Sequence, residues 1–319
     1  MILDGFPDFR IMSPRTLNVD QEQDIMSKTK TTTRRRSRHG RFLCLLWLTA
    51  LLPVCGCSAV FPTINPGAAA DRIAEAAGFR KSFITTGGFI LTTFSRLTVP
   101  GDPLNIYVEG DGAAWLSRTR LSDDPTPRKP LVLALAAIDP AANLVYLARP
   151  GQYPAAHSPP CDPAYWSDRR FSRDVVEALN AAIDVFVSEA RSTRINLIGY
   201  SGGAALAVLI ALERKDVVSL RTVAGNLDPE AVNRLHGVSP LDGSLNPMDG
   251  AEKLNRLPQR HFVGSKDTVV PPRIARSFMT RSGRRDGAGV TLVEGATHTK
   301  GWRENWETLL AVPLDAGGS

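Results

Sequence analysis

Cysteine is scarce in this chain. Three of its four cysteines, Cys44, Cys55 and Cys57, lie near the N-terminus, which leaves Cys161 alone in the rest of the 319 residues. No internal disulfide is possible in that remainder. Prolines, not a base, neighbour Cys161, which argues against a thiol nucleophile. An excess of charge is also missing from the body of the chain. The formal net charge is +6, but residues 57–319 hold 29 Lys/Arg against 27 Asp/Glu. That near-neutral balance gives no argument for nucleic acid. No metal cluster, dinucleotide fingerprint or phosphate loop is present, so neither a metal nor another cofactor is expected. There are no repeats. The apolar run "FLCLLWLTALLPVC" is short for a membrane span and contains Pro53.

That run follows the basic patch "RRRSRHGR", Arg34 to Arg41. A basic patch, a short apolar stretch and a small-residue site together form an export signal. Val54-Cys55-Gly56-Cys57 resembles the bacterial lipoprotein cleavage box. The resemblance implies cleavage before Cys57, a lipid on its sulfur, and a protein tethered to a membrane in the cell envelope, on the periplasmic or outer-membrane side. A simple anchor, or a secreted or periplasmic protein, is the alternative. Arg34-Arg35 hints at twin-arginine export, but the residues that should follow are absent. The stretch before Lys28 is unlike a signal, and Met26 is a candidate start. Residues 1–56 are therefore assigned to the signal, 57–70 to a tether and 71–319 to one domain.

Within that domain the pattern alternates. Residues 71–79 predict a short helix, 81–97 two strands around Gly87-Gly88, and 104–110 a strand. Residues 131–139 are apolar throughout and fit a buried helix or strand. Strands are expected at 143–150, 195–198, 220–225, 260–265 and 290–295. Helices are expected at 172–192, from Gly202 to about Lys215, at 272–283 and at 302–310. The class is α/β: a mostly parallel sheet covered by helices on both faces, with an antiparallel lead-in at one edge.

In "INLIGYSGGAAL", Gly199-Tyr200-Ser201-Gly202-Gly203 fits G-x-S-x-G between an expected strand and an expected helix. A turn of that kind holds a serine hydroxyl at the carboxyl edge of the sheet and aims the Gly202 amide at a developing oxyanion. The serine needs a base. His157 sits in a Pro-rich loop, His236 follows a helical stretch, and His261 lies inside an expected strand. His298, in the loop between the last strand and the last helix, is the best placed. Two acids, Asp267 and Asp228, follow strands at the same edge.

The chain resembles the α/β-hydrolase fold superfamily over about Phe79 to Leu310, through the order Ser201, Asp267, His298 and the place of each after its strand. The resemblance implies acyl transfer through a covalent acyl-serine. It favours Asp267, in "VGSKDTVVPP", over Asp228, which also suits a helix cap. It assigns the second oxyanion donor to the Asp111 amide. Where family members often carry His-Gly, this chain has Glu109-Gly110-Asp111-Gly112. Two carboxylates there oppose an oxyanion unless neutralised, so an ion pair of Arg149 with Glu109 or Asp111 is expected. About thirty residues between Asp228 and Gln259 leave room for only a small cap. Tyr153, Tyr165 and Trp166 either line the cleft or pack. The expected substrate is a small-molecule or lipid-like acyl compound, foremost a carboxylic ester. Acyltransferase, thioesterase, amidase or peptidase chemistry, or a non-catalytic binding role, are the alternatives.

Overall fold

A computed structural model describes residues 66–155, 159, 161–285 and 287–317, all within one compact unit, 61–319. Cys57, the signal region and His157 lie outside the described residues. The chain opens with α1 (Pro66–Ala76), β1 (Arg80–Thr86) and β2 (Phe89–Leu97). Gly87 and Gly88 both have positive φ, 56° and 83°, as a tight two-residue hairpin turn requires. Then follow β3 (Leu104–Val108), α2 (Leu131–Ala137), β4 (Asn143–Leu147), α3 (Arg173–Ala190), β5 (Ile195–Tyr200) and α4 (Gly202–Glu213). The last elements are β6 (Val217–Val223), α5 (Pro229–His236), β7 (Gln259–Gly264), α6 (Arg273–Arg281), β8 (Val290–Val293) and α7 (Trp306–Ala311).

The eight strands form one sheet in the order β1-β2-β4-β3-β5-β6-β7-β8. The β1–β2 and β2–β4 pairs are antiparallel; the others are parallel. Both faces are covered, so the central strands are apolar along their length, and β4 is buried at every position. One core layer joins the sheet to α3, α4 and α6; the other joins it to α1, α2 and α7. Helix α4 is buried from Gly202 to Ala211, which explains its lack of an amphipathic stripe.

The 131–139 run, expected as a buried helix or strand, is a helix, burying Val132, Leu133, Leu135 and Ala136 at helical spacing. Two helix starts differ from expectation. Helix α1 begins at Pro66, inside the expected tether. Helix α7 begins at Trp306 because Trp302 is occupied otherwise: its indole N–H donates to the His298 carbonyl at 2.9 Å. Between β6 and β7 lie α5 and a 3₁₀ segment, Pro247–Leu254, the latter packed against α4 and α6. Among the described residues, no helix is long and apolar enough to cross a membrane.

Candidate active site

Ser201 sits at the tip of β5, just before α4, with φ 50° and ψ −120°. A side-chain-bearing residue in that region is strained, and the surroundings must hold it there. Its N–H donates to the Val223 carbonyl, and its own carbonyl accepts from the Ala204 and Asn226 amides. The flanking glycines are sterically required. A Cβ on Gly199 would lie 2.5 Å from Ala204 Cα and the Gly203 carbonyl oxygen. One on Gly203 would overlap the carbonyl oxygens of Val108 and Glu109 in the adjoining β3 segment.

The structure brings Ser201, His298 and Asp267 into one hydrogen-bonded chain. Ser201 Oγ is 2.9 Å from His298 Nε2, and His298 Nδ1 is 2.9 Å from Asp267 Oδ2. An imidazole protonated on Nδ1 donates to the carboxylate and leaves Nε2 to accept from the serine hydroxyl. The other oxygen of Asp267 accepts from the Val269 and Val270 amides, both at 2.9 Å, so the carboxylate is fixed. The loop bearing His298 is held through its carbonyl, which accepts from the Tyr200 hydroxyl at 3.1 Å and from Trp302. Asp228 is not part of this chain. It caps α5, accepting from the Ala231 amide at 3.0 Å.

The segment expected to supply the second oxyanion donor, 109–112, follows β3. Gly202, first residue of α4, has an N–H with no intrahelical acceptor. A Cβ on Gly202 would overlap the Asp111 carboxylate and approach the Arg149 guanidinium, so this pair packs directly against the Gly202 backbone. Arg149 is buried and bonds Asp111 through Nη1 and the Arg170 carbonyl through Nη2, the latter at 2.7 Å. Arg170 adds a second cation, 3.6 Å from Asp111. Burial alone would raise the Asp111 pKa, but Arg170 and Arg149 outweigh it and hold the carboxyl below its usual range.

Of the two acids expected as partners of Arg149, Asp111 forms the ion pair and Glu109 does not. The Glu109 oxygens accept from the Tyr146 hydroxyl and the Gly110 amide, each at 2.9 Å. Burial pushes its pKa up to about 7, against those two hydrogen bonds and the more distant Arg149. The geometric reason is the pleat. Glu109 shares a face with Tyr107, two residues back, and Tyr107 is in register with Tyr146.

Sequence reasoning missed Tyr146, Arg170 and Gln152. Gln152 bridges the two loops, accepting from the Arg149 amide and donating to the Gly110 carbonyl. No motif marks them; the sheet register and the return of the 151–170 loop bring them in. Tyr153 and Trp166 are buried packing residues, with the Trp166 indole on the Ser122 carbonyl. Tyr165 packs edge-on against Phe89. His261 is fully buried between Thr222 and Gln259, and His236 holds the Val269 carbonyl. Burial pushes the Cys161 thiol up to about 11, which suits an inert residue.

No protein-family model and no curated protein matches the sequence. Solved structures do resemble it. Est1E from Butyrivibrio proteoclasticus aligns with TM-score 0.51 at 15% identity, over 72% of this chain and 93% of that one. An esterase from Pyrococcus furiosus gives TM-score 0.51 at 14% identity, over 74% and 90%. A Mycobacterium tuberculosis puromycin-hydrolyzing peptidase gives 0.51 at 14% identity, over 73% of this chain but 38% of that longer one. The chain has the α/β-hydrolase fold.

Proposed function

We propose that the protein is a serine hydrolase that cleaves carboxylic esters through an acyl-serine intermediate. The observation that carries this is the Ser201–His298–Asp267 hydrogen-bonded chain on a strained strand-to-helix turn. In this reading His298 Nε2 takes the Ser201 proton as Oγ attacks the ester carbonyl. The Gly202 and Asp111 amides receive the negative oxygen. The imidazolium, held by Asp267, hands its proton to the departing alcohol oxygen. It then takes a proton from water, whose oxygen attacks the acyl carbon and frees Ser201.

Two uncompensated carboxylates near the oxyanion would favour the non-catalytic alternative. The ion pairing of Asp111 with Arg149 and Arg170 supports the catalytic reading instead, while Glu109 accepts from neutral donors. The test is a chain-length series of nitrophenyl esters beside Ser201→Ala. Turnover by the parent and a loss of about 10³-fold or more in the variant are expected. A folded parent that leaves the esters intact, and whose Ser201 resists a fluorophosphonate, overturns the reading. Esters untouched but Ser201 labelled would move the substrate to thioesters or amides. We further propose that the enzyme is lipid-anchored in a bacterial envelope at Cys57. Metabolic labelling with a fatty acid checks this, with the label expected to vanish in Cys57→Ala.

A further inference from the structure

A cavity of about 710 Å³ is lined by Tyr200 and Thr299, the chain neighbours of Ser201 and His298. That volume is in the range of small-molecule sites. Gly112 and Ala113, after Asp111, form one wall, and Thr299 and Lys300, after His298, form another. Ile73 of α1 and Leu131 and Ala134 of α2 give it an apolar floor. Three cations stand on its lining: Arg128, Lys129 and Lys300. All three are exposed, and none joins an ion pair among the described residues.

The single acid in the lining is Glu109, whose oxygens are committed to Tyr146 and Gly110. Asp111 is neutralised by Arg149 and Arg170. The backbone that carries two of the cations is constrained. Arg128 and Lys129 are enclosed by Pro125, Pro127 and Pro130, and the Pro125 carbonyl accepts from the Ala113 amide at 2.9 Å. Two other cavities differ in charge. One, about 500 Å³ beside α5, carries Glu230 paired with Arg234, and Asp242. The other, about 550 Å³, carries Asp123 and Asp162.

We propose that this cavity is a substrate subsite for an anionic amphiphile: an ester whose apolar chain lies over Ile73, Leu131 and Ala134 and whose phosphate or carboxylate meets Arg128, Lys129 and Lys300. The proposal rests on Ser201 as the acyl-accepting residue, and it narrows the substrate class. An apolar floor alone would accept any acyl chain. Three uncompensated cations at its mouth reward an oxyacid group and penalise a cationic one.

Binding is measured separately from turnover, so the two readings fail separately. Ser201→Ala protein is titrated with octyl phosphate, octyl glucoside and inorganic phosphate, below micelle-forming concentrations. Octyl phosphate is expected to bind at least about tenfold more tightly than either of the others, the preference shrinking with salt. The triple variant R128E/K129E/K300E should lose that preference and keep its affinity for octyl glucoside. Ala134→Trp should weaken both amphiphiles by filling the floor. Equal binding of octyl glucoside, or an unchanged preference in the triple variant, overturns the proposal. Inorganic phosphate binding as tightly as octyl phosphate overturns it too, by showing a plain anion site. A preference seen in binding together with no ester turnover would leave the subsite standing and remove the esterase reading.

Discussion

Glu109 is a carboxyl 2% exposed, next to the segment proposed to receive the negative oxygen. Burial pushes its pKa from 4.5 up to about 7. A raised folded pKa means that the folded state holds the proton over a window where the unfolded chain has released it. The associated stability is fully present below about pH 4.5 and is lost as pH rises through about 7. Two to three pKa units correspond to a loss on the order of 3 kcal/mol. Glu109→Gln keeps an acceptor for the Gly110 amide and offers a donor to the Tyr146 oxygen. Urea unfolding at pH 8 should find it more stable than the parent by about 1–3 kcal/mol, with the gain absent at pH 4.5. Gly203 makes the opposite case. A methyl group there meets two backbone carbonyls that cannot swing aside. Gly203→Ala should cost about 2–3 kcal/mol and most of the activity, read by the same unfolding curves and by ester turnover.

At the level of elements, the proposed oxyanion site is a junction between the loops after β3 and β4, with Arg149 as its link. Removing that guanidinium leaves the Asp111 carboxylate beside the Gly202 amide with only the more distant Arg170. Arg149→Met should lower kcat at least about tenfold, and the double variant R149M/D111N should recover most of it. If the arginine only packs, on Phe171 for instance, the double variant will stay as slow as the single one. A pairing of Arg149 with Asp111 or Glu109 was legible in the sequence because all three follow strands at the same edge; the structure selects Asp111. The role of Tyr146 was not, since it depends on which strand neighbours β3 and in what register. Strands were legible through β-branched apolar runs, and α3 through its spacing. The ends of α1 and α7 were not, because tertiary contacts fix them: Trp302 is drawn to the His298 carbonyl, away from the helix that its neighbours predict. Ser201, Asp267 and His298 were legible in order and in their place after strands, while the 2.9 Å contacts follow only once the sheet assembles.

Over the whole molecule, two buried titrating groups act with opposite sign from opposite faces of the sheet. Glu109 lies toward the α2 side among tyrosines. His261 lies in β7 against Phe278 of α6. Burial, then Arg284 and Arg260, push the His261 pKa from 6.5 down to about 3. A neutral histidine in the folded state must meet a protonated one in the unfolded state. Its stability is therefore present above about pH 6.5 and is lost as pH falls toward about 3. For two-state unfolding both groups are exposed in one step, so their proton balances add. Between about pH 4.5 and 6.5 unfolding takes up a proton at His261 and releases one at Glu109, and the slopes cancel. The urea midpoint should be flat across that window and fall below it, where the histidine and the lowered carboxyls of Asp111 and Asp315 contribute. The variants separate the two terms. Glu109→Gln should turn the plateau into a slope rising with pH by about 1.4 kcal/mol per unit, and His261→Gln into one falling by as much. These are slopes, so they stand apart from whatever packing each substitution costs. A plateau that survives both changes would mean that neither group titrates across unfolding as its burial requires.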